Sequence, residues 1–519
     1  MSDRLKQFEA QLLAGYTFKG EHIKLGAALL DGEVVNGTMV SLPLKTMNRH
    51  GLIAGATGTG KTKTLQTIAE GLSEHGVPVL MMDIKGDLSG IAAMGETNSK
   101  IEERHQKIGI PFTPKKFPVE LLSLSDEKGV RLRATVSEFG PVLFSKILGL
   151  NDTQSGIVSL IFKFCDDERL PLLDLKDFKA VLQYIGNEGK DSIQKKYGAI
   201  SSASTGTILR KIIELEQQGA ENFFGEKSFE VEDLVRLDKD GKGFVSIIRL
   251  TDIQDKPKLF STFMLSLLAE VYATFPEAGD LEKPKLVLFI DEAHLIFDEA
   301  SKALLDQIEA IIKLIRSKGV GIFFCTQNPS DIPPAILGQL GMKVQHALRA
   351  FTANDRKMIR LTAENYPLSE FYKTEEVLTS LGIGEALVTV LSEKGTPTPL
   401  AAVLLRSPQS RMHILTQEET DALIKNSSLV AKYNTIIDRE SAYELLTEKI
   451  NSKDTDTESQ SKAEASKASK PRTVKKEKSM IEEVMNSRIT RDIGRTVFRE
   501  LTRGLLGVLG VSASSRRRK

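Results

Sequence analysis

The sequence lacks several features that would place it in a membrane or outside the cell. It contains no run of eighteen apolar residues, which excludes a membrane-spanning helix. Its first residues carry scattered charges and no apolar core, so we expect no secretory signal. Only two cysteines occur, Cys165 and Cys325, without C-x-x-C spacing, which indicates buried thiols and no disulfide framework. We therefore expect a cytoplasmic protein.

An overall excess of charge of one sign is also absent, because 70 lysines and arginines face 69 aspartates and glutamates. The balance is uneven along the chain, with a net charge of +8 over residues 451–519 and −7 over residues 1–450. Such basic tails are solvated extensions or bind nucleic acid, acidic partners or membrane surfaces. The 41% of hydrophobic and 27% of charged residues are typical of a globular protein, and the length predicts about three domains.

Apolar runs typical of buried parallel strands alternate with helical patterns, which predicts an α/β fold with a mostly parallel sheet. The predicted strands are Leu52–Ala54, Val77–Met82, Phe244–Leu250, Leu286–Ile290 and Val320–Thr326, then a β-rich stretch at Val344–Ala350, Glu385–Leu391 and Leu400–Leu405. Helical patterns between these runs are found at Val142–Leu150, Gly156–Cys165, Leu175–Ile185 and Thr207–Gln217. The turn signal Asp31-Gly32 predicts a hairpin near the N-terminus.

These patterns divide the chain into six predicted segments. They are a short β-rich segment (1–45), an α/β core (46–95 and 241–415), a helical insertion (96–240), a helical extension (416–450), a disordered linker (451–480) and a basic amphipathic tail (481–519). The linker is predicted from its Ser, Lys, Glu, Thr and Ala composition, which cannot bury a core. The tail combines an apolar stripe with regularly spaced arginines, so it either packs on the body of the protein or docks on nucleic acid, a membrane surface or a protein.

A glycine-rich motif follows the first predicted strand of the core. Gly55-Ala56-Thr57-Gly58-Thr59-Gly60-Lys61-Thr62 matches G-x-x-x-x-G-K-S/T between a strand and a helix. The glycines allow backbone N–H groups to surround phosphate oxygens, with the helix dipole adding to the attraction. Lys61 is expected to reach the β- and γ-phosphates of ATP, and the Thr62 hydroxyl to ligate Mg²⁺. Thr64 is a further candidate for nucleotide binding.

A second motif consists of five apolar residues, Leu286–Ile290, that end in Asp291-Glu292. In this pattern Asp291 is expected to hold Mg²⁺, and Glu292 to orient and deprotonate the attacking water. The four residues 291–294 also spell the DEAH box of RNA helicases, but the arginine-rich segment of a second helicase domain is missing. An Asn-Lys-x-Asp guanine-binding motif is missing too, which disfavours a GTPase.

Gln327 follows the next predicted strand, Val320–Cys325, after Thr326. A polar amide at the end of the strand beside the carboxylates can sense the γ-phosphate and help to place the water. The alternative is an ordinary strand-end residue.

The whole set resembles the HerA–FtsK superfamily of P-loop ATPases, and in particular its bacterial HerA-like members without a known role. The resemblance covers residues 40–415 and is carried by four motifs, Asn48-Arg49-His50-Gly51, Asp83-Ile84-Lys85-Gly86-Asp87, Ile290-Asp291-Glu292-Ala293-His294, and Arg316-Ser317-Lys318-Gly319-Val320-Gly321 with Thr326-Gln327-Asn328-Pro329-Ser330. It implies a RecA-like core that forms hexameric rings, with ATP bound between subunits.

The resemblance also implies a catalytic arginine supplied by the neighbouring subunit. Arg49 matches that position, Arg316 is the second candidate, and Arg349 remains a third. Two of them have a simpler structural explanation. Arg49 can be a surface residue at a strand start, and Arg316 ends a helix whose dipole favours a cation. One departure is clear, because 45 residues before the core are too few for the larger N-terminal β-barrel of HerA itself.

The sequence thus predicts an Mg²⁺-dependent ATPase with a RecA-like core that forms a homo-oligomer, a hexameric motor acting on DNA. A rival function from another class is an ATPase of the same superfamily that moves or remodels protein. The motifs specify hydrolysis and not cargo, so the sequence leaves this choice open.

Overall fold

The computed structural model describes residues 3–252, 256–297, 302–435, 437 and 439–451. The predicted tail at 481–519, and all but the first residue of the predicted linker at 451–480, lie outside this range and stay predictions. Among the described residues, no helix has the length and apolarity needed to span a bilayer. Both cysteines are buried and free of disulfides, as predicted.

Twelve strands form a single sheet in the described residues. Their bounds are β1 His22–Leu30, β2 Glu33–Pro43, β3 Gly51–Ala54, β4 Val79–Asp83, β5 Val119–Ser123, β6 Val130–Arg131, β7 Val245–Arg249, β8 Leu286–Ile290, β9 Val320–Thr326, β10 Met342–Gln345, β11 Glu385–Thr389 and β12 Ala401–Leu405. The helices are α1 Asp3–Tyr16, α2 Lys61–Glu74, α3 Ser99–Ile108, α4 Val136–Ile147, α5 Asp152–Glu168, α6 Leu175–Gly186, α7 Lys190–Tyr197, α8 Ser202–Gln217, α9 Pro257–Thr274, α10 His294–Phe297, α11 Lys302–Ile315, α12 Pro334–Leu337, α13 Ala353–Ala363, α14 Thr374–Ser380, α15 Gln417–Lys425 and α16 Ser428–Tyr433.

The order of the strands across the sheet is β2-β1-β12-β11-β10-β3-β9-β8-β4-β7-β5-β6. From β10 to β6 every neighbouring pair is parallel, and from β10 to β2 every pair is antiparallel. The central strands β4, β8 and β9 are buried along their whole length, as continuous apolar runs in a parallel sheet should be. The predicted α/β class with a mostly parallel sheet is therefore confirmed.

The chain forms two compact units. The first unit comprises residues 1–132 and 229–435 and contains the entire sheet. The second unit comprises residues 133–228 with the described residues from 437 onward, and it contains α4 to α8 and a helix at 442–451. Its interior includes a cluster of aromatic rings, Phe139, Phe144, Phe162, Phe178 and Phe224.

Three expectations from the sequence need correction. The N-terminal segment 1–45 is not simply β-rich, because α1 precedes the hairpin of β1 and β2 and buries Phe8, Leu12 and Tyr16. The region 96–240 is not simply helical, since β5 and β6 extend the parallel sheet. The strand predicted at Val344–Ala350 ends at Gln345, because the chain leaves the sheet beside the glycine-rich loop.

The hairpin turn itself was predicted well. Asp31 and Gly32 join β1 to β2 with φ values of 54° and 86°. A two-residue turn with both φ angles positive matches the right-handed twist of the flanking strands.

Candidate nucleotide-binding site

The glycine-rich loop, residues 55–60, connects β3 to α2 at the carboxyl edge of the sheet. Gly55, Gly58 and Gly60 have φ values of 150°, 77° and 111°, a region that residues with a Cβ rarely adopt. A Cβ on Gly55 would also lie 2.5 Å from the Cβ of His346. The glycines are thus required by backbone conformation and, at Gly55, by close packing, and the loop presents its N–H groups together with the start of a helix.

The loop is tied to the strands on both sides of β3. Gly55 N–H donates to Thr326 O on β9 at 3.3 Å, and Ala56 N–H donates to Ala347 O just beyond β10 at 2.9 Å. Thr57 and Gly58 at the tip of the loop are exposed. The loop therefore has a fixed base and an open tip.

Lys61 is the first residue of α2 and is buried. Its Nζ donates to Gly55 O at 2.7 Å and to Ala56 O at 3.2 Å. The ammonium group is therefore folded back over the loop, at the place where phosphate oxygens bind in such loops.

The environment of Lys61 shows that the two predicted motifs meet in space. Burial lowers the pKa of Lys61, and the charge of Lys85 lowers it further. Cys325, Glu292 and Asp291 act in the opposite direction on the pKa of Lys61. The lysine of the loop and the carboxylates after β8 thus belong to one site.

The threonines of this region have different surroundings. Thr62 is half-buried in the first turn of α2, where its hydroxyl is available to a metal ion bound with the phosphates. Thr59 is buried, and its hydroxyl donates to Ala56 O at 2.7 Å. Thr64 is also buried, and its hydroxyl lies 2.9 Å from His346 Nε2 beneath the loop. The Thr64 hydroxyl is thus engaged by His346, and the expectation that Thr64 takes part in nucleotide binding stays a prediction.

Asp291 and Glu292 form the turn after β8, and both are buried. Glu292 has a positive φ of 46°, an unusual conformation for a residue with a side chain. Burial raises the pKa of Asp291, while the charge of Lys85 opposes that rise. Ala293 N–H donates to Cys325 O at 3.0 Å, which fixes this turn against β9.

Two carboxylate oxygens of this turn are left without a hydrogen bond. Asp291 Oδ2 and Glu292 Oε2 are buried and accept none from the described residues. His294 Nδ1 lies 3.4 Å from Glu292 Oε2, an ion pair only when the imidazole is protonated. Buried carboxylate oxygens without donors are costly unless a cation or water satisfies them.

Carboxylate oxygens that lack a hydrogen bond, as in the turn after β8, fit a magnesium ion. Among the described residues, no group of three His, Cys, Asp or Glu side chains could enclose a metal. Mg²⁺ does not need such a cage, because it is commonly held by one or two carboxylates together with substrate phosphates and water. Asp291 and Thr62 are therefore the side chains that suit it here.

Lys85 is a site residue whose role was not recognised from the sequence. It follows β4, and its Nζ forms an ion pair with Glu292 Oε1. Burial lowers the pKa of Lys85, but the hydrogen bond that Lys85 donates to Glu292 and the charges of Asp291 and Glu292 outweigh this and leave the pKa raised. The ammonium group thus remains charged and holds one side of the Glu292 carboxylate.

The turn that carries Lys85 is built by Asp83. The carboxylate of Asp83 accepts hydrogen bonds from the N–H groups of Gly86 at 2.8 Å, Asp87 at 3.1 Å and Leu88 at 3.1 Å. Gly86 has a φ of 75°, so the turn also needs this glycine. The only signal in the sequence was the motif Asp83–Asp87 itself, because the contact between Lys85 and Glu292 is made only in the folded chain.

Gln327 lies at the same edge, directly after β9, and it is exposed. Asp331 fixes the turn that follows, since its Oδ2 accepts from the Thr326 hydroxyl at 2.5 Å and from Asn328 N–H at 3.1 Å. Gln327 thus occupies the predicted place at the end of the strand between β3 and β8, and its role stays a prediction.

Arg49 and Arg316 lie at the opposite, amino-terminal edge of the sheet. Arg49 precedes β3 and Arg316 precedes β9, and these strands are neighbours. The two side chains are close enough that the charge of Arg49 lowers the pKa of Arg316, after the larger effect of its partial burial. The length of β3, about 13 Å for four residues, separates them from the glycine-rich loop of their own chain.

His50 connects the segments that carry these arginines. It is buried with a φ of 57°. Its Nδ1 accepts from Ile322 N–H at 3.0 Å, and its Nε2 donates to Ile312 O at 2.9 Å. Burial lowers the pKa of His50 to about 4, so the neutral ring links β9 with α11, the helix that ends just before Arg316.

Arg349, the third candidate arginine, lies at the carboxyl edge. It is exposed two residues beyond Ala347, whose carbonyl bonds the loop, and its Nη1 donates to Thr379 O at 3.4 Å. The structure therefore separates the three candidate arginines, with Arg49 and Arg316 at one edge and Arg349 at the other.

The sheet, the glycine-rich loop with Lys61, and the carboxylates after β8 define the class as a P-loop nucleoside triphosphatase with a RecA-like core. The model of the helicase HerA-like C-terminal family matches residues 29–516. The chain therefore belongs to that family, which confirms the resemblance drawn from its motifs.

Curated relatives agree with this assignment. The DNA double-strand break repair helicase HerA of Saccharolobus solfataricus is 26% identical over 373 residues, covering 69% of this chain and 66% of that protein. The DNA import protein CedB of Sulfolobus acidocaldarius is 24% identical over 430 residues, covering 82% of this chain and 60% of that protein. The chain thus spans about two thirds or less of the length of these relatives.

Solved structures share the fold. The plasmid coupling protein TrwB in complex with the ATP analogue ADPNP matches with a TM-score of 0.50 and 14% identity, over 77% of this chain and 99% of that one. At this identity the likeness concerns the fold alone.

Proposed function

We propose that this protein is an Mg²⁺-dependent ATPase that assembles into a ring and moves DNA. The observation that carries the hydrolytic part is the meeting of Lys61 with Asp291 and Glu292 at one edge of the sheet. Two relatives, a DNA repair helicase and a DNA import protein, support DNA as the cargo.

In the proposed mechanism the loop 55–60 and the start of α2 hold the phosphates of ATP. Lys61 exchanges its two carbonyl partners for phosphate oxygens. Thr62 and Asp291 would hold Mg²⁺, and the ion would supply positive charge to the phosphates. Glu292 orients the attacking water and accepts its proton, and Gln327 helps to place that water.

Lys85 acts in this scheme as a positioning residue. Its ion pair with Glu292 Oε1 fixes one carboxylate oxygen, which leaves Oε2 to face the water. Because a carboxylate that must accept a proton needs a defined orientation, loss of this pair should reduce turnover more than nucleotide binding.

The position of the arginines supports a ring. Arg49 and Arg316 lie at the amino-terminal edge of the sheet, away from the phosphate site of their own chain. A head-to-tail ring can bring this edge of one subunit to the site of the next, so that Arg49 stabilises the transition state in trans, with Arg316 as the second candidate. A hexamer is the proposed assembly.

A basic surface at the carboxyl edge supports polynucleotide as the cargo. It consists of the exposed residues Arg349, Phe351, Arg356, Lys357 and Arg360, with Phe351 exposed to 88%. Residues 349–360 contain four basic residues and one acidic residue, although residues 1–450 are acidic overall. Exposed cations beside an aromatic ring suit phosphates and stacked bases.

The geometry of this basic surface is fixed by Asp355. Its Oδ2 accepts from Phe351 N–H at 2.9 Å and from Thr352 N–H at 2.7 Å, and this caps α13. Arg356 and Arg360 are one helical turn apart, so both lie on the same face of α13. The aromatic ring and the cations are thus presented together.

The test of cargo is the ATPase rate of the full chain with double-stranded DNA, single-stranded DNA and RNA. Strong stimulation by DNA is expected. Equal rates with and without all three polynucleotides would contradict DNA as the cargo and favour the rival function, an ATPase that moves or remodels protein.

The basic surface is tested by the double variant Arg356→Ala/Lys357→Ala. Stimulation by DNA should fall, basal ATPase should stay, and the salt slope of DNA binding should decrease by about 2 if both residues contact phosphates. The matched control Lys190→Ala/Lys195→Ala removes two exposed lysines of α7 and should leave stimulation unchanged. Equal stimulation of both double variants would remove this surface from the proposal.

The cytoplasmic location and docking by the basic tail at 481–519 stay predictions. Deletion of residues 451–519 should leave basal ATPase intact and reduce binding to DNA or to vesicles, most clearly at low salt. Binding by the truncated chain equal to that of the full chain would show that the tail is not a docking segment.

A further inference from the structure

A turn at residues 382–385, between α14 and β11, touches the glycine-rich loop directly. Gly384 N–H donates to Thr59 O at 3.0 Å. A Cβ on Gly60 would lie 3.4 Å from the N and Cα atoms of Gly384. The turn therefore lies against the loop just where the loop passes into α2.

This turn is held from several directions. Arg104 on α3 donates from Nη2 to Ile383 O at 3.0 Å and from Nη1 to Gly384 O at 3.1 Å. Gly384 O also accepts from Leu405 N–H at 3.0 Å. Glu385 closes the turn, since its Oε2 accepts from Gly382 N–H at 2.7 Å. The backbone of the turn is thus fixed by its neighbours on three other elements: the loop, α3 and β12.

The contacts that hold the backbone of this turn leave Ile383 exposed. It is exposed to 70%, although the residues that anchor its backbone are partly or fully buried. The turn is rigid and presents one apolar side chain beside a phosphate-binding loop. It can contact an apolar ring face without a backbone rearrangement that would oppose binding.

We propose that Ile383 contacts the base of the nucleotide whose phosphates occupy the loop 55–60. This inference rests on the proposed function, since it requires a nucleoside triphosphate at that loop. Triphosphates bound there extend their sugar and base beyond the phosphates, and the ring face of the base is its apolar part.

The chemistry of the contact determines the specificity. An isoleucine provides surface area and no hydrogen bond, so it favours the larger purine ring over a pyrimidine. It cannot distinguish adenine from guanine strongly, because that choice requires paired donors and acceptors. The contact therefore selects purine nucleoside triphosphates as a class.

The test compares binding of ATP, GTP, CTP and inorganic tripolyphosphate to the full chain by titration calorimetry. Ile383→Ser should weaken ATP and GTP by about 10-fold, which corresponds to the loss of one apolar contact of ordinary size. It should weaken CTP less and leave tripolyphosphate unchanged, because that probe carries no base. Ile383→Leu should retain the affinity of the wild type for ATP.

A matched control is Leu368→Ser, which removes another exposed apolar side chain from the same unit. It should bind all four probes as the wild type does. If Ile383→Ser weakens tripolyphosphate as much as ATP, or changes neither, the base contact is refuted. If the wild-type chain binds none of the four probes, the proposed function itself fails, and the two failures are thus distinguishable.

Discussion

The two edges of the sheet differ in how their charges are arranged. At the carboxyl edge, Lys61 bonds loop carbonyls and lies near the carboxylates after β8, and Lys85 pairs with Glu292. At the amino-terminal edge, Arg49 and Arg316 lie near each other, and, after the larger effect of partial burial, the charge of Arg49 lowers the pKa of Arg316 while that of Asp280 acts in the opposite direction. One edge thus combines a lysine, carboxylates and the glycine-rich loop, and the other carries two neighbouring arginines.

This difference indicates what a single chain lacks. Two neighbouring cations repel each other, and an anion bound between them would relieve that repulsion. In the proposed ring the triphosphate bound by an adjacent copy would be that anion. The carboxyl edge of one chain and the amino-terminal edge of the next would then form one complete site.

The largest effect is expected from the amino-terminal edge. Arg49→Ala should lower kcat by roughly 10³–10⁵, the range of arginines that act in trans, while nucleotide affinity changes little. Steady-state ATPase together with nucleotide titration measures both quantities. Arg4→Ala, at an exposed arginine paired with Asp31, is the control. A larger loss in Arg316→Ala would transfer the role to Arg316.

The carboxyl edge predicts the next largest effect. Glu292→Gln keeps the shape of the side chain and removes the base, so it should lower kcat by about 10²–10⁴ and retain bound ATP. Glu364→Gln, at an exposed site, serves as the control. Wild-type turnover in Glu292→Gln would show that another group activates the water.

A smaller effect at the same edge is expected from Lys85, which positions the carboxylate of Glu292 and takes no part in the chemistry. Lys85→Ala should lower kcat by about 10- to 100-fold, with KM and melting temperature nearly unchanged, because the carboxylate of Glu292 loses orientation but remains present. Lys85→Arg keeps a cation and should recover most of the rate. Equal losses in Lys85→Ala and Lys85→Arg would exclude a role based on the ion pair.

The smallest effect concerns the stability of the amino-terminal edge. The pKa of His50 is lowered to about 4 in the folded chain from about 6.5 in the unfolded chain. The unfolded chain therefore binds more protons between these values, and the stabilisation present above pH 6.5 is lost as the pH falls toward 4.

The variant His50→Asn isolates this contribution. The difference in free energy of unfolding between wild type and variant should be largest above pH 7, and should shrink by up to about 3 kcal/mol toward pH 4. Denaturant midpoints across this range measure it. A difference independent of pH would mean that His50 is not held neutral.

The parts of the fold that follow from local pattern were predictable. β8 matches the predicted strand Leu286–Ile290, and β9 lies at Val320–Thr326 as predicted, because long apolar runs identify buried parallel strands. The glycine-rich loop was also predictable from local sequence, because its conformation requires glycines at fixed positions.

The parts that depend on distant pairing were not predictable in this way. β5 is a short segment interrupted by Glu120, and its pairing with β7 and β6 makes it a strand. Lys85 meets Glu292 because β4 and β8 are neighbours in the sheet, which the sequence does not state. α1 was missed although Phe8, Leu12 and Tyr16 recur at helical spacing, so its signal was present and overlooked.

The most direct test of a site shared between two copies is to mix subunits that carry Arg49→Ala with subunits that carry Lys61→Ala. Each variant alone should be nearly inactive. In an equal mixture about a quarter of the interfaces in a ring combine an intact Lys61 with an intact Arg49, so activity should reappear to about that extent. Mixing either variant with the double variant should restore none. Mixed rings no more active than the separate variants would contradict a catalytic arginine supplied by the neighbouring copy.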